Sequence, residues 1–495
     1  MTSARTRTYS ARSMVIALCA ATAFGCTATT EDPPAPPSTP GPPLPSAAPA
    51  AGTNGADGAG DPYYPADGNG GYDVTGYDVT IKYDPQRQHL EGDTVVTAAA
   101  AADLGRFNLD LRGLDVASVT VNDAPAQFAR AGDHELVITP AASVPNGSTF
   151  RTRVVYSGKP VSDRKGGGLG TKGWQRSTSG GAFAVGEPHS AAYWFPANET
   201  PKDKATFRVT ATVPDGWSVV SIGHEEPSTP ANGWTTYRWA ERNRVATYLT
   251  TVAIDRWTYD RGKLPGTDIP LLSAYAPGVR NGQQLEKRVP EIIEFLSSKF
   301  GPYPQTAAGG IYINESIGFS LETNGRPTYA NWAELTVVVH ENAHQWFGNS
   351  VSLKEWRDIC LNECFASYAQ WLWDEAKEGK NLDEEYRSNV ASVRGSNRFW
   401  SRKLYEMGAG NEFDAVYDKG QLALHALRRL IGDDVFNRVL REWPTKYRDN
   451  NASWTEFEDF AQQLSGKNLR TFFDAWFRGT SIPADEHLYP GSLHR

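Results

Sequence analysis

Two histidines four residues apart, His340 and His344, lie in the stretch 336–350, TVVVHENAHQWFGNS. On a helix of 3.6 residues per turn that spacing puts both imidazoles on one face, where they can grip a single zinc ion. Glu341 then sits beside them, placed to handle a proton. Glu363, in the later stretch CLNECFASY, can supply a third ligand. Three protein ligands leave a fourth position open for water, which a catalytic zinc requires and a structural zinc does not. The competing reading is a buried helix whose histidines are hydrogen-bonded core residues, with Glu363 as an ordinary acidic residue at a helix N-terminus. The recurrence of ligand types at ligand spacing favours zinc.

The elements that carry these residues are legible around them. The run TVVV is an apolar lead-in that buries the first helix, and GNS after Phe347 breaks it. Leu361, Phe365, Tyr368, Leu372 and Trp373 recur at helical spacing, which predicts a largely buried helix with Glu363 in its first turn. From Gly71 to about Thr258 the pattern alternates as strands do (YDVTIKY, RFNLDL, ELVITP, FRVTATVP), punctuated by Gly, Pro, Asn and Asp. RVPEIIEFLSSKFG is an amphipathic helix stopping at Gly301, GGIYI reads as a strand, and GFSLETNGRPT as edge-strand material. Three further amphipathic helices follow between Asp433 and Ile482.

The expected division is a signal peptide over 1–25, a tether over 26–70, an N-terminal β domain over 71–262 and a catalytic domain over 263–495. With 495 residues, 40% of them hydrophobic and 15 of them Trp, the chain can build more than one core. A net charge of −8 argues against nucleic acid as a partner. Arg5, Arg7 and Arg12 precede an apolar run, Met14 to Gly25, that is too short to span a bilayer. Cys26 follows, as in a bacterial lipobox with a lipidated Cys26, although Ala23 stands where Leu is usual. The expectation is an extracytoplasmic protein, secreted or lipid-anchored to the cell membrane, with an ordinary cleaved signal as the rival. The following stretch is rich in Pro, Ala, Gly and Ser, a composition that buries too little surface to fold and suits a tether. Cys360 and Cys364 lie one helical turn apart, a strained span for a disulfide, and are expected as two buried thiols.

HENAHQWFGN and LNECFA, at this separation, resemble the zinc aminopeptidases related to aminopeptidase N and leukotriene hydrolase, which are gluzincin metallopeptidases. The resemblance runs from roughly Gly71 to near the C-terminus. It implies an antiparallel β-sandwich or saddle domain followed by a thermolysin-like α+β zinc metallopeptidase domain ending in helices. It also implies one Zn2+ held by His340, His344 and Glu363, with Glu341 as general base. Asn342 replaces a usually apolar residue and Cys364 the usual Gly. By the same resemblance Glu187, in GEPHSAAYWFP, would bind the substrate's free α-ammonium. Glu322 would be a second anchor for it, in a degenerate motif where Gly318 and Leu321 match and Thr323 stands for Asn. Tyr417, in the YDKG stretch, would point its hydroxyl at the zinc and donate to the oxyanion. The implied activity is removal of N-terminal residues from peptides. A zinc endopeptidase or other hydrolase on the same scaffold, and an inactive cell-surface binding protein, remain the alternatives.

Overall fold

The computed structural model describes residues 52–163 and 168–493. The expected signal peptide, Cys26 and the first part of the tether therefore lie outside the described residues.

Residues 72–249 build most of three sheets. The largest has eight strands, in the order His224–Ala231, Trp234–Val245, Ala205–Pro214, Tyr72–Asp84, His89–Ala100, Thr149–Gly158, Asp115–Val121 and Ala124–Pro125. In its strand Tyr72–Asp84, the residues Tyr72, Val74, Tyr77, Val79, Ile81 and Tyr83 are buried and their neighbours mostly exposed. The alternation survives a register shift between Val74 and Gly76, a bulge that lets the same face stay buried on both sides of it. The sheet is not wholly antiparallel: Ala205–Pro214 runs parallel to Tyr72–Asp84. A parallel neighbour needs a long crossover, and the chain between these strands supplies one by passing through the other sheets.

The second body has a four-stranded sheet, Thr258–Lys263, Pro270–Tyr275, Ile311–Tyr312 and Thr328–Tyr329, covered by helices. Its first strand pairs with Pro270–Tyr275 as a hairpin, so the division falls ahead of Thr258, a few residues before the expected 262/263 boundary. The helices used below are α1 (Val289–Phe300), α2 (Leu335–Ala343), α3 (Cys360–Lys377), α4 (Asp418–Ile431), α5 (Asp433–Lys446) and α6 (Trp454–Ser465). Helix α1 stops at Gly301, whose φ of 94° is open to glycine and costly for other residues. No helix among the described residues is long and apolar enough to cross a membrane.

Residues 52–70, grouped with the tether on composition, are folded onto the body, which corrects that part of the expectation. Thr53–Asn54 pairs parallel to Leu104–Asp110. Asp61 accepts hydrogen bonds from the backbone N–H of Tyr63 (2.8 Å), Tyr64 (3.1 Å) and, far along the chain, Trp356 (2.7 Å). Tyr63 accepts one from the Gly408 N–H at 2.9 Å, and Asn69 meets Asp110 at 3.2 Å. Composition missed this because the anchors are single polar side chains set among Pro and Gly, with no periodic apolar face to reveal them. Asp61→Ala would strand three N–H donors, one of them the buried Trp356 amide; the expected loss is about 3 kcal/mol of unfolding free energy, read from denaturant titration.

Candidate active site

Helix α2 presents His340 and Glu341 from its last turn, and His344 caps it with the backbone still helical at φ −56°. The α-helix ends at Ala343, ahead of the expected break, yet His344 N–H still donates to His340 O at 3.2 Å, so the one-turn spacing holds. Helix α3 brings Glu363 in its first turn. The His344 Nε2 and His340 Nε2 atoms are 3.0 Å apart, and Glu363 Oε2 lies 3.1 Å from His340 Nε2 and 3.5 Å from His344 Nε2. His344 Nδ1–H donates to the Phe347 carbonyl at 3.0 Å, which orients the ring with Nε2 toward the cluster. Two imidazole nitrogens and a carboxylate converging on one point from two helices are a donor set that fits zinc.

Electrostatics points the same way. Glu187, Glu322, Glu341 and Glu363 are all at most 5% exposed. Burial raises Glu187 well above the usual carboxylate range, and the Glu322, Glu363 and Glu341 charges add to it. Burial likewise raises Glu341 and Glu322, against the opposing His344 charge. Burial lowers His344, but Glu322 and Glu363 outweigh it and raise this imidazole to about 10. Glu363 is pushed up by burial and pulled down further by the two imidazoles, to about 2. A site with four carboxylates and two imidazoles is short of positive charge, which a divalent cation and a substrate ammonium would supply.

The structure brings every residue expected at the site to one place. Glu322 and Glu341 each offer an oxygen within 4.8 Å of a His344 nitrogen. The Tyr417 ring, at the start of α4, lies 6.0 Å from that of His340. Burial raises the Tyr417 phenol well above its ordinary value, with Glu363 and Glu187 adding to it, so the hydroxyl keeps its proton. Glu187 is fully buried, and neither of its oxygens has a hydrogen-bond partner among the described residues. Gly318–Thr323, expected as edge strand, is irregular apart from a bridge from Leu321 to Thr328. It is held instead by the segment that follows α2: Asn349 Nδ2 donates to Glu322 O at 2.8 Å, and just beyond it Gln345 Oε1 accepts from Gly325 N–H at 2.8 Å.

Sequence reasoning missed Tyr248. Its hydroxyl sits 3.4 Å from Glu322 Oε1 and accepts from Asn362 Nδ2 at 3.3 Å, tying the second anchor to the helix of the third ligand. It lies in a Thr-rich run that reads as strand, and nothing in its own neighbourhood marks it. Asn342, unusual at an apolar position, donates to Tyr329 OH at 3.0 Å and to Val338 O at 2.8 Å, so its amide is satisfied in the core. His425 is also a core residue, between Tyr368 OH and Asp383, each at 2.9 Å.

Cys360 and Cys364 are not two thiols. They are joined as a disulfide with Cα atoms 4.8 Å apart, inside the span of roughly 4.4–6.8 Å that a disulfide bridges. The expectation failed because it took the span of one helical turn as too strained to bridge, even at a helix start. Cys360 is the first residue of α3, just past a 3-10 turn at Trp356–Asp358, where the backbone can tighten.

Comparison with known proteins agrees with this site. Residues 311–476 match the Peptidase family M1 domain, and residues 74–249 the Peptidase M1 N-terminal domain. A crystal structure of an M1 zinc metallopeptidase from Deinococcus radiodurans is 30% identical, with a TM-score of 0.79, and the match covers 86% of this chain and 98% of that one. Aminopeptidase M1-B of Oryza sativa subsp. japonica is 23% identical over 435 residues, 82% of this chain and 50% of the rice protein. Aminopeptidase N of Lactococcus lactis is 25% identical over 60% of this chain and 38% of its own length. The chain thus spans half or less of the length of these curated relatives. It belongs to peptidase family M1, a family of zinc metallopeptidases, and has the family's two-domain core.

Proposed function

We propose that the protein is an aminopeptidase that hydrolyses the first peptide bond of peptides with a free N-terminus. The observation that carries this reading is Glu187, a fully buried carboxylate with no partner for either oxygen among the described residues, beside Glu322 and the metal-ligand cluster. A buried anion left unpaired is costly, and a substrate ammonium would complete it. The Deinococcus relative is described in a further structure as bound to a Tyr-Ser-Ala substrate, which suits the same class of ligand.

His340, His344 and Glu363 would hold the zinc, which when bound supplies Lewis-acid activation of water and of the scissile carbonyl. Glu187 and Glu322 fix the α-ammonium, so that only the first peptide bond reaches the ligand cluster. Glu341 takes the proton of the attacking water and returns it to the leaving amine. Tyr417 O–H donates to the oxyanion of the tetrahedral carbon. Tyr248 holds Glu322 in place. The basic start, the apolar run and Cys26 support an extracytoplasmic location, lipid-anchored through Cys26.

The test is release of amino acid from matched free and N-acetylated reporter substrates, with and without a chelator. The expected outcome is cleavage of the free form alone, lost with the chelator and restored by zinc. Equal cleavage of both forms would make the protein an endopeptidase or another hydrolase and discard the two ammonium anchors. No cleavage of either by the zinc-loaded protein would leave a binding protein.

A further inference from the structure

We infer that the Cys360–Cys364 disulfide is a positioning element for the metal centre, holding Glu363 in ligand geometry and fixing the space in which the Tyr417 helix packs. The inference rests on the zinc-site reading above. Four residues of regular helix advance about 6 Å along the axis, yet the Cα atoms of Cys360 and Cys364 are only 4.8 Å apart. Glu363 lies inside this contracted turn, its N–H bonded to Ile359 O at 3.0 Å and its carboxylate between the two imidazoles. Asn362, beside it, carries the contact to Tyr248.

The second observation comes from α4. Gly420 lies so close to Cys364 that a Cβ there would fall 2.6 Å from Cys364 Sγ. Gly420 is one turn after Tyr417, so the sulfur sets how near the Tyr417 end of α4 approaches α3. Bonded sulfurs stand about 2 Å apart, whereas two thiols need the ordinary separation of non-bonded heavy atoms, roughly 3.5–4 Å. Cys360 and Cys364 are at most 1% exposed, so no free volume absorbs that change. The turn would open, or α4 would shift; the first moves a ligand and the second moves Tyr417. Cys364 and Gly420, packed against each other, thus set the spacing of α3 and α4 together.

The test begins with the tryptic peptide 358–377 from the air-purified protein, expected two hydrogens lighter before reduction than after it. The protein is then refolded from urea with and without a phosphine. The phosphine takes oxygen from water to become its oxide, its electron pair breaks the S–S bond, and the two protons of that water complete the thiols. After removal of the reductant, zinc affinity is measured by competition with a chromogenic chelator, alongside the thermal midpoint. Expected is an affinity at least ~10-fold weaker in the reduced form, the scale seen when a ligand's supporting contacts are lost, restored on reoxidation by air. Cys360→Ala/Cys364→Ala should match the reduced form; should it fail to fold, the reversible reduction decides alone. Free thiols in the purified peptide would overturn the inference. So would equal zinc affinity in both forms with only a lowered thermal midpoint, the result of a merely stabilising crosslink. Failure of the oxidised protein itself to bind one zinc would overturn the metal-site reading instead, and this inference with it.

Discussion

Glu341→Gln is expected to lower kcat about 1,000-fold while the protein keeps its full complement of zinc. The side chain sits on the last turn of α2, one residue from a ligand, yet it is not itself in the ligand triad. Its carboxylate is 5% exposed, with an oxygen within 4.8 Å of both His344 and Glu322. Burial raises this carboxyl well above its ordinary value, against the His344 charge, which suits a group that takes and returns a proton. Glutamine preserves the volume and the packing of α2 but cannot take a proton from water. The loss should therefore fall on kcat, with KM changed little and the denaturant midpoint unchanged or raised, since a buried anion has been neutralised. The contrast is Glu363→Gln, which should lose zinc and activity together. Metal analysis and steady-state kinetics on the two variants separate the roles. A Glu341→Gln protein that retained a tenth of wild-type kcat, or that lost its zinc, would remove Glu341 from the base position.

What could be read from the sequence is what repeats along the chain. The spacing of His340 and His344, the helical stripe around Glu363 and the strand alternation near Tyr77 are local patterns, and each appears in the structure where the pattern put it. The resemblance added what no local pattern holds, namely that Glu187, Glu322 and Tyr417 meet across long stretches of chain. What stayed hidden depends on single contacts between distant residues. Asp61 reaches Trp356 from a Pro- and Gly-rich stretch that looks unfoldable. Tyr248 reaches Glu322 and Asn362 from a run that looks like one more strand. The disulfide was misjudged for a related reason: spacing told that Cys360 and Cys364 were one turn apart, but not that the turn begins at Cys360 and could contract. A centre of four carboxylates is also invisible residue by residue, because each acid alone reads as a solvated surface charge. Their shared burial, with Glu187 left unpaired, is what gives them a common purpose.

Tyr417→Phe is expected to lower kcat by roughly 100- to 1,000-fold, the cost of removing one donor from an oxyanion site. The ring stands 6.0 Å from that of His340, so a hydroxyl on it can reach the carbonyl of a substrate lying over the ligand cluster. Burial and the Glu363 and Glu187 charges favour the neutral phenol, which makes the group a donor rather than a base. Phenylalanine keeps the ring and its packing and deletes only that donor, so fold, zinc content and the resting site should persist. The distinguishing measurement compares two ligands. A phosphinic peptide, whose tetrahedral centre imitates the transition state, should bind more weakly to the variant by a factor similar to the loss in kcat. A free amino acid held at the ammonium anchors should bind about as well as before, because it never presents an oxyanion to Tyr417. A loss in kcat below about threefold would place the hydroxyl outside the reaction. Equal weakening of both ligands would mean that the substitution had disturbed the pocket. Loss confined to the tetrahedral ligand would tie this one proton donor to the charge that develops as the peptide bond breaks.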